Sequence, residues 1–282
     1  MDDLKNLKSI DLSSTTIIGT SISVIWSIIL VIFLIFALSS ILGRFDISFA
    51  IIGIGIIFGT IILSISKFFG ITFMYNLFIK KMKNVKVNIE DMNKISEISV
   101  SSLALIVGAI ALVISIIVFP IIFLVLSFIP LILQLLQALT LQGLSWLVFP
   151  MNLVLTPFFI INACIIAISV TAVGAFIFNK VSQLIGGLKV SLSKEGNLTK
   201  IDSIDPKSAG MISGVICAIY GLLYGLLFSI VSGDLPANLI LIVGLTLGGL
   251  VGGFIYGDLS SVLYNFFSEK LGPVKLELEN SE

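Results

Sequence analysis

Long apolar runs, broken by short polar segments, dominate the pattern of the chain. Charge-free runs extend over residues 12–43, 47–66, 98–179, 208–233 and 235–257. A helix needs roughly 20 residues to cross a hydrocarbon core of about 30 Å. Each shorter run therefore predicts one membrane-spanning helix, and the run at 98–179 has room for up to about four.

The polar segments contain a pattern that occurs three times. An aromatic–Asn pair is followed, always at the same distance, by a run of the form apolar–Lys–apolar–polar–apolar. The pairs are Tyr75-Asn76, Phe178-Asn179 and Tyr264-Asn265, and the runs are residues 85–89, 188–192 and 274–278. Alternation with a period of two is typical of a half-buried strand.

This pattern divides the chain into three repeats, residues 4–90, 94–193 and 199–280. Each begins with a short apolar–polar segment, continues through membrane helices and ends in an alternating strand. Polar turns between consecutive repeats predict hairpins. Every repeat then starts and ends on the same side of the bilayer, so each crosses it an even number of times.

Each repeat opens with Asp or Ser followed three residues later by Ser. These pairs are Asp11 and Ser14, Ser99 and Ser102, and Asp205 and Ser208. Asp and Ser oxygens accept hydrogen bonds from the free amides of a first helical turn. We expect these side chains to cap the helices.

The middle repeat contains extra residues between two segments that match helix pairs. Residues 130–150 carry three Gln residues and one Ser within one broad helical face. This favours an uncharged amphipathic helix at the outer interface, anchored by Trp146, and two crossings in this repeat. Four crossings are the alternative.

Composition excludes a water-soluble globule. Of 282 residues, 57% are apolar and 11% charged, and the mean hydropathy is +1.19. Zero formal net charge provides no basic field for nucleic acid. His is absent, and neither a metal site nor a cofactor is expected. Cys164 and Cys217 lie in apolar runs and are expected to be hydrophobic fillers.

The distribution of basic residues predicts the orientation. Of 16 basic residues, Arg44 alone falls in a loop opposite the predicted strands. Because positive charge stays on the cytoplasmic side, both termini and all strands are expected there, in a multi-pass protein of the cell membrane.

Lys67 and Asp258 lie about 20 residues from the outer ends of their helices, at the cytoplasmic interface. Snorkelling interfacial charges are the expected role, with a buried ion-conducting pair as the alternative. Asn76, Asn179 and Asn265 are expected to hydrogen-bond the backbone of the neighbouring sheet, with ligand binding as the alternative.

Small residues recur on the last predicted helix, at Gly244, Gly248 and Gly252 and at three further glycines, 249, 253 and 257. Small side chains let helices in lipid approach closely. Helix packing is the expected role, and a glycine-lined pore is the alternative.

The fold class that follows is a mainly α-helical membrane protein with six transmembrane helices. They form three two-helix repeats with short cytoplasmic β-hairpins. The opening segment near Leu7–Ile10 and the closing strand near 274–279 lack sequential partners. Because exposed strand edges invite aggregation, we expect them to pair with each other around a pseudo-threefold axis.

The polar motifs resemble a family of two-helix membrane proteins known as domain of unknown function 3566. That family has a Val-Asp-Pro-Trp-Ser start and a tail of Leu-Tyr-Asn, Gly-Gly and an apolar–polar strand. Similar residues are Ile-Asp-Pro-Lys-Ser at 204–208, with Lys207 in place of Trp, and the tails at 178–190 and 263–276. Repeat 1 departs, with Lys83-Asn84 in place of the glycines. Three diverged copies are a further departure from the family's single copy. The resemblance implies association with the cell envelope and no catalytic residues.

These observations predict a non-enzymatic scaffold or accessory subunit that contacts the lipid bilayer and other membrane proteins, without nucleic acid. A small transporter or channel, with its path between the three repeats, is the alternative. Polar residues at mid-membrane usually mark a transport path, and the predicted helices offer few. A lipid-modifying enzyme needs His, paired carboxylates or a Cys–base pair, and the acidic residues near the bilayer are isolated.

Overall fold

The structure is a computed structural model that describes residues 4–127, 158–233 and 238–281. The chain divides into two compact units, one of residues 1–99 with 176–282 and one of residues 100–175. The amphipathic helix expected at 130–150, with Trp146, lies outside the described residues.

Among the described residues, strands alternate with pairs of long helices. The helices are α1 (Leu12–Leu42), α2 (Ile47–Phe78), α3 (Val100–Ser127), α4 (Phe158–Ile185), α5 (Pro206–Ser232) and α6 (Leu239–Leu271). The strands are β1 (Leu4–Ile10), β2 (Val85–Glu90), β3 (Lys94–Ile98), β4 (Leu188–Glu195), β5 (Leu198–Ile204) and β6 (Val274–Asn280).

Within the described ranges, six helices are long and apolar enough to cross a membrane. Their outward faces carry large apolar side chains, of which Phe33 and Phe36 are 71% and 73% exposed. Apolar surface of this size is stable only in contact with lipid or protein. The chain is therefore an integral, multi-pass membrane protein whose helices contact the bilayer.

The six strands close into one antiparallel barrel in the order β1-β2-β3-β4-β5-β6. β2 pairs with β3 and β4 with β5, each across a short turn. β1 pairs with β6, with Leu7 opposite Leu278, so the first and last strands join as expected. The sequence did not indicate the three remaining seams, β1–β2, β3–β4 and β5–β6, which turn three strand pairs into a closed barrel.

The strands of the barrel bury apolar side chains. On β2, Val85, Val87 and Ile89 are buried whereas the alternating Lys86 is exposed. Val190 of β4 is buried in the same way. Even eight strands give an interior only wide enough for side chains to fill, so six leave less room.

The β2–β3 turn needs an unusual backbone. Asp91 and Met92 have φ values of 49° and 57°. Two consecutive residues with positive φ are typical of the tight turns that match the twist of a hairpin. Asp is among the residues that tolerate this region best, whereas Met rarely adopts it.

In the first unit, the helices pack as two pairs that also touch each other. α1 packs on α2, where a Cβ at Gly53 would lie 2.5 Å from Val31. α5 packs on α6, and Trp26 of α1 donates a hydrogen bond to Ser260 of α6 at 3.0 Å. Trp26 also stacks on Tyr256 at 5.2 Å between ring centroids.

The second unit contains α3 and residues 158–175 of α4. The side chain of Ile168 packs directly against Gly108 of α3. A Cβ on Gly108 would clash with it. Phe119 and Phe159 stack with ring centroids 6.0 Å apart. Close apolar packing of this kind holds two membrane helices together in lipid.

Candidate functional site

The asparagines of the repeated motif make the same contact three times. The carboxamide of Asn76 accepts from the N–H of Ile10 at 2.9 Å and donates to its C=O at 2.7 Å. Asn179 does the same with Ile98, at 2.9 Å for both bonds. Asn265 does so with Ile204, at 2.8 Å for both.

Each asparagine lies near the end of a second helix, and its partner is the last residue of the opening strand. The carboxamide offers one acceptor and two donors, so it completes the pairing of a strand end whose ladder stops there. The side chains therefore act as the sequence analysis expected, on the backbone of the sheet.

The aromatic residue of the motif reaches the same strands. Tyr75 donates its hydroxyl to the C=O of Leu7 at 3.3 Å, and Tyr264 donates to that of Ile201 at 2.5 Å. The hydroxyl of Tyr264 also accepts from the N–H of Val274 at 3.2 Å. Phe178 has no hydroxyl and packs on the buried cluster of Ile177, Val181 and Ile212.

The acidic residues before α1 and α5 cap these helices. Asp11 accepts from the N–H of Ser14 at 2.7 Å, and Asp205 accepts from that of Ser208 at 2.8 Å. This confirms the predicted N-caps at these two positions and satisfies amides that lack partners in a first turn.

The serines at the helix starts have a role that the sequence did not indicate. Their hydroxyls accept hydrogen bonds from strand amides, and so join each closing strand to the next helix start. The N–H groups of Lys275, Lys86 and Lys189 donate to Ser14, Ser99 and Ser208, at 3.2, 2.9 and 3.2 Å respectively.

A second bond runs in the opposite direction at each junction, from the helix start to the same lysine's C=O. Asp11, Ser99 and Asp205 are the donors, at 2.9, 2.8 and 2.9 Å. The lysines of the repeated motif are therefore placed through their backbones, and the side chains of Lys86 and Lys189 are exposed.

Charge pairs tie strands together on the barrel's outer surface. Glu195, at the end of β4, contacts Lys200 of β5 and Lys275 of β6, both at 3.0 Å. Hydrogen bonds from Lys275 and then Lys200 hold the pKa of the Glu195 carboxyl below its usual range. The pKa of Glu90 is lowered in the same way, chiefly by the hydrogen bond from Lys94.

Lys67 and Asp258 do not meet in an ion pair among the described contacts. The ammonium of Lys67 is exposed and lies 5.1 Å from the ring centroid of Phe68. Asp258 is half-buried, with its Cβ 3.2 Å from the position a Cβ would take on Gly210. Nothing in this geometry joins the two side chains into one site.

The structure does not show the helix packing that was expected of Gly244, Gly248 and Gly252. In the part of the chain that the structure describes, a Cβ on any of them has no heavy atom within 4 Å. The glycines of α6 that pack closely against α5 are Gly249, Gly253 and Gly257. The two sets lie on different faces because consecutive helical residues are about 100° apart.

The surface of α5 that packs against α6 was not among the predicted contacts. Gly210, Gly214, Gly221 and Gly225 of that helix lie against the backbone of α6, and a Cβ on Gly214 would lie 2.8 Å from the C=O of Leu250. Their spacings of four and seven residues are a helical-face signal that was present in the sequence.

A cavity of about 530 Å³ lies beside β4, where the strand meets the start of α5. Residues from β3, β5 and α6 complete it; its lining includes Lys94, Lys189, Ser191, Ser203 and Asn265. A second cavity, of about 360 Å³, is apolar and lies along α5 and α6 near Met211 and Phe254.

Among the described residues, no group of three or more Cys, Asp or Glu could hold a metal ion.

Neither a curated protein nor a solved structure matches the chain. One family model does match, and its range includes β2 through nearly all of β4, with the Asn179–Ile98 contact inside it. The family resemblance drawn from the sequence is thereby confirmed for that range: residues 82–194 match the family described as a transmembrane domain of unknown function, DUF3566.

Proposed function

We propose that this protein is a non-enzymatic membrane scaffold, built from three diverged copies of one two-helix unit around a pseudo-threefold axis. The observation that carries the proposal is the closed barrel, to which each repeat contributes two strands. A closed barrel of this kind joins strands from all three repeats, which suits a platform for other proteins.

The threefold arrangement is supported by contacts that recur at matched positions. Each asparagine of the motif binds the opening strand of its own repeat. Each closing strand binds the helix start of the next repeat, and the third closing strand binds the first. A cyclic order of this kind is the expected result of triplication followed by closure.

The barrel interior favours the scaffold over the transporter. A path between the three repeats would leave along the barrel axis on the strand side. The strands bury Val85, Val87, Ile89 and Val190, and a six-stranded barrel has less interior room than an eight-stranded one, which side chains already fill. An ion or polar solute in this space would lose its hydration without gaining polar contacts.

The polar groups of the strand side support a non-catalytic role. The side chains of Asn76, Asn179 and Asn265 are all bonded to backbone atoms, and those of Asp11 and Asp205 cap helices. Groups held in structural bonds of this kind are not available to activate a substrate, so we propose that the barrel serves assembly.

Partners are proposed to bind on the outer surface of the barrel, in the cytoplasm. The strands of the barrel display exposed charged and polar side chains, including Lys86, Ser191 and Lys194. A charged, hydrated surface suits a reversible partner, since electrostatic complementarity mainly sets specificity and association rate. The partners are proposed to be other membrane proteins of the cell envelope.

Photo-crosslinking in native membranes tests the scaffold. A crosslinking amino acid replaces Lys194 on the barrel, and the matched control replaces Phe36, an exposed apolar side chain of the membrane-spanning helix α1. We expect discrete protein adducts from position 194, lost when neighbouring surface charges are reversed, and lipid adducts from position 36. Equal protein adducts at both positions contradict a barrel-specific surface.

Reconstitution tests the alternative. Proteoliposomes containing the full chain are compared with empty liposomes for flux of small ions and neutral solutes. We expect no difference, because a six-stranded barrel has little interior room. Flux that increases when Val87 or Ile89 is changed to Ala establishes a path through the barrel and overturns the scaffold proposal.

A further inference from the structure

We propose that the cavity beside β4 binds a phosphate group, carried by an anionic lipid headgroup or by a soluble phosphate compound. The cavity holds about 530 Å³, within the size range of small-molecule sites. Its walls combine the side chains of two lysines and two serines with apolar residues, among them Val190 and Pro206.

The two lysines are directly opposite each other. Lys94 of β3 and Lys189 of β4 are partners in the register of the barrel. Like charges at directly opposite positions on adjacent strands repel each other. Lys94 has a counter-charge in Glu90 at 2.8 Å, whereas Lys189 has no ion pair among the described residues. An anion in the cavity would remove this repulsion.

A closing strand meets the start of the next helix at three places in the barrel, which we call junctions. The matched positions in the other two junctions contain a carboxylate, and the position in the β4–β5 junction does not. Two residues after the motif lysines, Asn88 faces Glu97 and Glu277 faces Ser9. Both carboxylates are engaged, Glu97 by Gln183 at 2.7 Å and Glu277 by Ser9 at 2.8 Å. These two junctions supply their own negative charge.

The β4–β5 junction has Ser191 facing Ser203 instead. The side chains are short, so space remains, and their hydroxyls have no hydrogen-bond partner among the described residues. Each hydroxyl can donate to an oxyanion, and a lysine ammonium is a common phosphate ligand. The geometry therefore provides room, donors and an unpaired positive charge at one place.

Neither of the two acidic residues nearby forms an ion pair with Lys189 among the described contacts. Asp205 lines the cavity, but its carboxylate accepts from the N–H of Ser208 at the start of α5, where the helix dipole already favours it. Glu269 lies one turn beyond Asn265 on α6, is exposed and is not part of the lining.

Lipid and soluble probes distinguish the two sources of phosphate. The full-length protein is placed in nanodiscs containing equal amounts of phosphatidylglycerol and phosphatidylcholine, and the retained lipid is identified by native mass spectrometry. In a second arm, glycerol 3-phosphate and inorganic phosphate are titrated by calorimetry into protein in neutral lipid. Preferential retention of phosphatidylglycerol would identify the ligand as a lipid headgroup. Binding of a soluble phosphate in the calorimeter, without preferential retention of phosphatidylglycerol, would identify it as a soluble compound.

Two variants and two matched controls locate the binding. Ser191→Glu introduces the carboxylate that Glu277 provides in the third closing strand, and Lys189→Gln removes the unpaired charge. Ser193→Glu and Lys194→Gln make the same charge changes further along β4, outside the lining. We expect about tenfold weaker binding in the first pair and unchanged binding in the controls.

Thermal unfolding confirms that the variants remain folded, and Lys189→Gln, an exposed side chain, keeps the test valid if Ser191→Glu does not fold. The absence of binding in both arms, or equal binding by variants and controls, overturns the proposal.

Discussion

The carboxamide of Asn265 binds both the N–H and the C=O of Ile204, 61 residues earlier in the chain, each at 2.8 Å. One side chain near the end of α6 therefore completes the strand that leads into α5. The bond connects the two ends of a helix pair on the side where both meet the barrel. Asn76 and Asn179 make the same connection for the other two pairs.

Changing Asn265 to Ala should destabilise the protein. The N–H and C=O of Ile204 lose their partners in a partly buried position, and an unsatisfied buried polar group costs about 1–3 kcal/mol. Thermal unfolding in detergent should show a lower midpoint. Asn265→Asp, which still accepts from the N–H, should lie between Ala and the natural residue.

The matched control is Asn197→Ala, an exposed position in the β4–β5 turn. It should leave the midpoint unchanged. If both alanine variants unfold at the natural temperature, the repeated asparagine contact does not stabilise the barrel.

Gly253→Ala should destabilise the α5–α6 pair, and Gly252→Ala should not. A Cβ on Gly253 would lie 2.7 Å from both Cys217 Cβ and Ser213 O, whereas on Gly252 it meets no described heavy atom within 4 Å. Overpacking typically costs about 1–3 kcal/mol. Unfolding midpoints in detergent compare the two variants, which are adjacent and identical in chemistry; equal midpoints contradict the packing derived from the structure.

The sequence pattern predicts more of the strands and their pairing than of the contacts between helices. Period-two alternation located the closing strands, and the two unpaired ends predicted the β1–β6 pair that the structure has. The glycine face could not be predicted in the same way, because α6 carries glycines on two faces. Which face packs depends on α5, where Gly214 and Gly221 admit the α6 backbone.

The sequence pattern also does not predict the closure of the barrel. Hairpins are local, so polar turns indicate them, whereas the β3–β4 seam joins strands on either side of α3 and α4 and has two register pairs, Lys94 with Lys189 and Ile95 with Leu188. The cavity beside that seam depends on the same long-range pairing. Only the backbone geometry brings its two lysines together.

Glu195 should stabilise the barrel in a pH-dependent way. Its pKa is lowered in the folded state by Lys275 and Lys200, so its contribution is present above the unfolded-state pKa and is lost as pH falls through the folded one. Glu195→Gln should therefore lower the unfolding midpoint at neutral pH. The difference from the natural protein should shrink in acid.

Ser193→Gln, on the same strand, is the control and should show no such convergence. A Glu195→Gln difference that stays constant from neutral to acidic pH would show that the effect arises from packing rather than from charge.

Both termini and the barrel should lie in the cytoplasm, because the strand side carries nearly all basic residues. After Cys164 and Cys217 are changed to Ser, single cysteines are placed at Asn197 in the barrel and at Arg44 in the α1–α2 loop. A membrane-impermeant maleimide should label position 44 in intact cells and position 197 only after permeabilisation. The reverse labelling pattern would show that the protein has the opposite orientation in the membrane.

Removing the residues after Gly272 should expose the first strand as well as the last repeat. β6 pairs with β1 on one side and with β5 on the other, so its loss leaves amides of both strands without partners. Hydrogen exchange should rise in Leu4–Ile10 and Leu198–Ile204. It should rise less in Lys94–Ile98, which pairs with β2 and β4 instead.

Glu279→Gln is the control, since it removes the ion pair with Lys8 and keeps the backbone ladder. It should leave exchange in β1 unchanged. If the truncated chain does not fold, Leu276→Pro replaces it, because Leu276 pairs with Ile10 and Thr199 and proline removes one amide from the ladder. Unchanged exchange in β1 in both variants means that the barrel is open between its first and last strands in solution, and the pseudo-threefold arrangement must then be abandoned.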